Sequence, residues 1–253
     1  MLSFHAGHRD ELMEDLMRRL VLVSVVLLSS LSGAQADAWK DCSQDANADR
    51  SIRGCSAFIK QGKVPNRALA AAYHNRGRAY VMKDNSERAI ADYNQAIELD
   101  PQDAEYHTTR GDAYLDEGQL DRALADFNRA LELDPYDTEA MTGRGEVYVE
   151  KGDLERAIAD FSMAIKYEQK HGEAYAGRAA ALLKAGKAAD ALPDAERATE
   201  LEPGDADVFT TRAQVLEALG RKTEAMADYR KALSLDPSLD ESKDGLKRLS
   251  ASR

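Results

Sequence analysis

The feature that most constrains this chain is a period. From Arg110 to Pro135 the sequence RGDAYLDEGQLDRALADFNRALELDP reads as two short amphipathic helices. They are joined at Asp116-Glu117-Gly118-Gln119 and closed by a proline. Shifted back by 34 residues the pattern recurs, with Gly77 for Gly111, Tyr80 for Tyr114, Ala89 for Ala123, Tyr93 for Phe127, Ala96 for Ala130 and Pro101 for Pro135. Shifted forward it recurs as Gly145, Tyr148, Ala157, Phe161 and Ala164. Self-similarity at a fixed period outranks local propensity as a fold signal. Each repeat buries its apolar face only against its neighbours, so the 253 residues form one continuous solenoid rather than separate globular domains.

These residues resemble the tetratricopeptide repeat, in five consecutive copies at 70–103, 104–137, 138–171, 172–205 and 206–239. The resemblance implies an all-α, right-handed α-solenoid of helix-turn-helix units. Small residues stand where helices cross: Gly77, Gly111, Gly145, Ala179 and Ala213 in first helices, and Ala89, Ala123, Ala157, Ala191 and Ala225 in second helices. Tyr93, Phe127, Phe161 and Tyr229 recur at helical spacing and read as core. Pro101, Pro135, Pro203 and Pro237 end second helices, because proline cannot continue a helix. The fourth repeat departs most: Pro193 falls inside its second helix, Ala195 replaces the aromatic, and Leu182 and Ala179 replace tyrosine and glycine. Less buried apolar area predicts a local soft spot there. Residues 240–253, with Leu246 and Leu249 on one face, read as a C-terminal capping helix.

The N-terminus reads as an export signal. Residues 1–16 form an acidic upstream extension. Met17-Arg18-Arg19, the apolar run Leu20 to Leu31 and the small-x-small Ala34-Gln35-Ala36 make 17–36 a signal peptide. The run has 12 residues, short of the ~18 that span a bilayer. Residues 39–69 then form an N-terminal cap helix, with Ile52, Cys55, Phe58 and Ile59 on one face. In an oxidising compartment the lone pair Cys42 and Cys55 forms a bridge, closing a loop of about 14 residues worth ~3 kcal/mol. A redox or metal role finds no support, since the thirteen-residue separation lacks the Cys-x-x-Cys arrangement and no histidine lies between. The chain thus resembles exported bacterial repeat proteins with an N-terminal cysteine pair, placed in the periplasm or secreted, at the cell envelope.

One charge pattern goes beyond the repeat. Every copy has an arginine just before the crossing residue (Arg76, Arg110, Arg144, Arg178, Arg212) and an aspartate sixteen residues later (Asp92, Asp126, Asp160, Asp194, Asp228). Antiparallel helices bring the two together, which predicts five intra-repeat ion pairs. Matched aspartates neutralise what would otherwise be an anion-binding stripe.

Net charge is -11, from 34 basic and 45 acidic residues, which excludes a clustered basic surface for nucleic acid or anionic membrane. No His-Glu-x-x-His, Walker loop, dinucleotide glycine pattern or serine elbow is present, so the expectation is a non-enzyme with no catalytic residue, cofactor or metal. The resemblance implies a concave groove lined by first helices that binds peptides or partner helices. Here its lining would be His74, Asn75 and Arg78, then Glu105, Thr108, Thr109 and Asp112, then Glu139, Thr142, Glu146 and Glu150, continuing through Glu173, Ala176, Ala180 and Lys184 to Thr210, Thr211 and Gln214. The carboxylate-gripping basic residues of chaperone-binding relatives are replaced by Thr and Glu after Asn75 and Arg78. An acidic groove centre predicts a basic or neutral protein or peptide partner. The expected role is a scaffold or adaptor, with no stable membrane insertion after signal removal and no oligomeric state set by the sequence. The alternative is a structural subunit of an envelope assembly or secretion complex. A glycan or small-molecule binder would want groove aromatics, and the lining has none.

Overall fold

A computed structural model describes residues 33–44, 46–62 and 64–251. The upstream extension and residues 17–32 of the expected signal peptide lie outside the described residues. All described elements are helices, thirteen in number, in two compact units that meet in sequence between Pro101 and Gln102. No described helix is long and apolar enough to cross a membrane.

The first unit contains α1 (Gly33–Cys42), α2 (Ala48–Gln61), α3 (Asn66–Val81) and α4 (Ser86–Leu99). Cys42 and Cys55 form a disulfide that fastens α1 to α2, and both are buried. Around it cluster Phe58, Ala68 and Ala72, with Trp39 stacked at 5.1 Å from Phe58. A Cβ at Gly54 would stand 2.6 Å from the Asp41 backbone, so only glycine lets α1 approach this closely. Asn47 and Asn85 cap α2 and α4, accepting from the Arg50 and Arg88 backbone N–H groups.

The second unit is the solenoid proper. It contains four hairpins, α5 (Ala104–Asp116) with α6 (Leu120–Leu133), α7 (Thr138–Glu150) with α8 (Leu154–Tyr167), α9 (Gly172–Lys184) with α10 (Ala188–Leu201), and α11 (Ala206–Ala218) with α12 (Lys222–Leu235). A final helix α13 (Asp240–Ala251) closes the end, burying Leu249 against Leu216 and Tyr229. Each hairpin turns through a left-handed glycine, Gly118, Gly152, Gly186 or Gly220, with φ between 67° and 77°. First helices start at aspartates: Asp103, Asp137 and Asp205 accept from the backbone N–H of Glu105, Ala140 and Asp207. His171 stands at that position in α9 and makes no side-chain cap bond.

Pro193 lies inside α10, which nevertheless runs unbroken from Ala188 to Leu201. Ala179, Ala191, Ala195 and Val215 form the buried cluster there, in place of the aromatic core of the other hairpins.

Candidate functional site

Five arginines are bound two-fold by aspartates across their own hairpins. Nε of Arg76, Arg110, Arg144 and Arg178 donates at 2.7 Å and that of Arg212 at 2.6 Å. The second guanidinium nitrogen donates to the other carboxylate oxygen at 2.6–2.8 Å in every case. A third donor reaches the preceding helix: Arg76 to Ser56, Arg144 to Asn128, Arg178 to Ser162 and Arg212 to Thr199. The aspartate side chains are only 8–12% exposed. Burial pushes the Asp126 carboxyl up, but hydrogen bonds from Arg110 and His107 outweigh it and hold it below the usual carboxylate range. These arginines are structural braces with their donors engaged, not an open anion stripe.

The second unit carries a cleft of about 530 Å3. Its apolar floor includes Leu115, Leu120, Val149 and Val208, and its rim carries Glu146, Glu150, Glu173, Asp205 and Asp207. α5, α7, α9 and α11 all contribute, because the first helix of each hairpin turns the same face to this side. Glu146, Glu150, Glu173, Ala176, Ala180 and Thr211 of the expected lining stand in it.

Other expected residues do not. His74, Thr108, Thr142 and Thr210 are buried, at 3–4% exposure, which corrects their assignment as an open lining. Thr108 donates to the Asp137 carboxylate at 2.7 Å, Thr142 sits against Thr138 O and His171 Nε2, and Thr210 against Ser242. His74 stacks on Tyr93 at 5.6 Å, and burial, helped by the Arg78 charge, pushes its pKa down to about 4. Their position on the first helix faces the neighbouring helix rather than solvent. Thr109 donates to Glu105 O on its own helix. Asn75 and Arg78 lie on α3 in the first unit. The apolar floor was missed. Its signal was Val81, Leu115, Val149 and Leu183, apolar residues recurring at the 34-residue period.

Carboxylates dominate the electrostatics of this side. Asp112 keeps contact with solvent, yet protein crowds it on its other sides. That burial, with Glu146, Glu139, Asp116 and Asp137 nearby, pushes its pKa up to about 8. Burial and the charges of Glu173, Asp116 and Glu139 push Glu146 up to about 7. Glu139 is raised as well, by burial first. Lys184 offers Glu150 a distant partner at 3.9 Å.

A tetratricopeptide repeat model matches residues 74–138, 108–174 and 176–240, well over half of the chain. No curated protein matches the sequence. Among solved structures, the Cut9–Hcn1 hetero-tetramer of APC/C superposes with a TM-score of 0.76 at 19% identity, covering 91% of this chain and 45% of that one. The present chain therefore spans less than half of that protein's length. PilW, a type IV pilus biogenesis factor, gives 0.67 at 19% identity, covering 79% of this chain and 90% of its own. YrrB, described as having an unusual peptide-binding site, gives 0.54 at 22%, with 78% and 99% covered. At such identities these likenesses speak to fold alone. With 34-residue hairpins, glycine turns and the matched repeats all in one chain, the protein belongs to the tetratricopeptide repeat family.

Proposed function

We propose that this protein is a non-catalytic adaptor whose second unit holds a basic, amphipathic segment of a partner protein. One observation carries this reading: an apolar-floored cleft is rimmed by Glu146, Glu150, Glu173, Asp205 and Asp207, and burial together with neighbouring carboxylates raises Glu146 to about 7 and nearby Asp112 to about 8. A lysine or arginine fits both features, its aliphatic stem lying on Leu115 and Val149 while its head meets the acids. The disulfide in the first unit fits an oxidising compartment and, with the signal read at 17–36, supports a periplasmic or cell-envelope setting.

The test is photo-crosslinking in cells from a reactive residue placed at Thr211, beside the same experiment in a Glu105→Lys, Asp112→Lys, Glu146→Lys chain. Capture of a partner through a basic segment, lost on charge reversal, is the expected result. Capture unaffected by the reversal overturns the groove reading. It would instead favour a subunit held through another surface. Tyr136, 64% exposed and packed edge-on against Tyr167 at 5.1 Å, with the exposed Met163, marks the place where such a contact would lie.

A further inference from the structure

His171 is an anomaly in its own repeat array. Asp103, Asp137 and Asp205 hold the equivalent position, and each caps a first helix through its carboxylate. An imidazole there forgoes the cap, a loss of about 1 kcal/mol in helix stability. The preceding turn changes too: Glu168-Gln169-Lys170 stands where the other second helices end in Asp-Pro or Glu-Pro. What the array gains is a buried ring, 5% exposed at the side chain, held between two helices and facing carboxylates.

The hydrogen bonds orient that ring. Thr142 donates its hydroxyl proton to the Thr138 carbonyl at 2.9 Å, so its oxygen accepts from Nε2–H of His171 at 3.2 Å. This tautomer is assigned from the network. It leaves the Nδ1 lone pair directed at acceptors only: Glu168 Oε2 at 3.4 Å and Glu139 Oε1 at 4.0 Å. In this tautomer a cation held between the ring and the carboxylates meets that lone pair, the place a proton on Nδ1 takes in its absence. An imidazole whose far nitrogen is anchored by a hydrogen bond is also the arrangement by which histidine ligands are held in metal sites.

We propose that Nδ1 of His171, with the carboxylates of Glu139 and Glu173, binds a divalent cation of the zinc class. One donor atom from each of the three lies within 4.8 Å of the others. Bound zinc brings such donors to roughly 3.3–3.5 Å apart, from metal–ligand bonds of about 2.0–2.2 Å. The closure is small and falls to Glu139 and Glu173, whose exposed side chains rotate freely while the ring stays fixed. One imidazole with two carboxylates suits zinc, cobalt or nickel over the oxygen-seeking magnesium and calcium. Three protein ligands leave a coordination position open to water or to a partner's side chain. The N-terminus of α9 carries a partial positive charge that opposes a cation, and the two carboxylates outweigh it. Nothing in this inference depends on what the groove holds.

The experiment is calorimetric titration of Zn2+ into the full chain, carrying His5→Asn and His8→Asn so that no N-terminal imidazole competes. One site is expected. His171→Asn and Glu173→Gln should each weaken it about 100-fold or more, judged against the 10–100-fold typical even of outer-shell losses. Asn is a good helix cap, so His171→Asn should melt at or above the parent temperature, and Glu139→Gln provides a second exposed variant if it does not fold. Co2+ in place of Zn2+ should give ligand-field absorption that is lost in the same variants. Unchanged Zn2+ affinity in His171→Asn, or no Zn2+ uptake by the parent, overturns the proposal.

Discussion

Phe127 is wedged against glycines from two successive repeats. A Cβ on Gly111 would stand 2.8 Å from its ring, and one on Gly143 would overlap it. Phe161 meets Gly145 and Gly177 in the same way, and Tyr229 meets Gly245. In the fourth repeat all three positions change together: Ala195 replaces the ring, Ala179 the first glycine and Thr211 the second. Ala179, Ala191, Ala195 and Val215 pack together there instead of around a ring. Replacing Phe127 with alanine should therefore cost about 3–5 kcal/mol alone. In a Gly111→Ala, Gly143→Thr background it should cost markedly less, and strictly additive costs by urea unfolding would defeat the idea. Cation–π pairs co-vary likewise: Arg88, Arg122 and Arg156 lie over Tyr80, Tyr114 and Tyr148, whereas Leu182 and Leu216 go with Asp190 and Glu224. The bracing aspartates yield a second prediction. Asp126→Ala strands the Arg110 guanidinium and should cost ~3–5 kcal/mol at pH 7. The Asp126 carboxyl titrates lower when folded, so its contribution is present above the unfolded value near 3.9 and vanishes as pH falls through the folded one. Melting temperatures of variant and parent should draw together as the pH falls through the folded-state value.

At the scale of elements, α9 and α10 are the place to expect local opening. Pro193 removes a backbone donor within α10, and the hairpin's core is alanine and valine where its neighbours have rings. Tight small-residue packing recovers contact but buries less apolar area. Amide exchange should be faster in α9–α10 than in α5–α8, and equal or slower exchange there would count against it. The helices of the second unit are legible in the sequence because each apolar position is stated four times over. α1 is not, since GAQADAWKDC has no apolar stripe and holds its place through Cys42, Trp39 and the glycine at 54. The cleft was legible only in its charge. Whether a first-helix side chain faces the cleft or the neighbouring helix differs between adjacent positions: Thr108 is buried while Thr109 is partly open. Periodicity alone does not separate the two. His171 was visible as a departure from the repeat, but its meaning depends on Thr142 and Glu139 arriving from α7, the first helix of the preceding hairpin.

At the scale of the whole molecule, the charge excess is concentrated on one side of the second unit. Of a net -11, the carboxylates at 112, 139, 146 and 173 share one side of the second unit, and two titrate near neutrality. An acid whose folded pKa lies above its unfolded value stabilises the fold below that unfolded value. The benefit is lost as pH rises through the folded pKa. For Asp112 and Glu146 the window runs from about pH 4 to about pH 8. A bound lysine or arginine would reverse the repulsion, lower both pKa values and release protons. Affinity for a basic amphipathic peptide should therefore rise between pH 6 and pH 8.5, by up to ~10-fold per group fully recharged. Discounting for solvent on the open side, a few-fold rise is the realistic expectation. Asp112→Asn with Glu146→Gln should flatten this slope. Fluorescence anisotropy with one labelled peptide, at two salt concentrations, gives the answer directly. Added salt should weaken binding most at pH 8.5, where the acids are charged. A parent protein whose affinity is flat in pH would mean that the acidic rim faces solvent without holding a cationic partner.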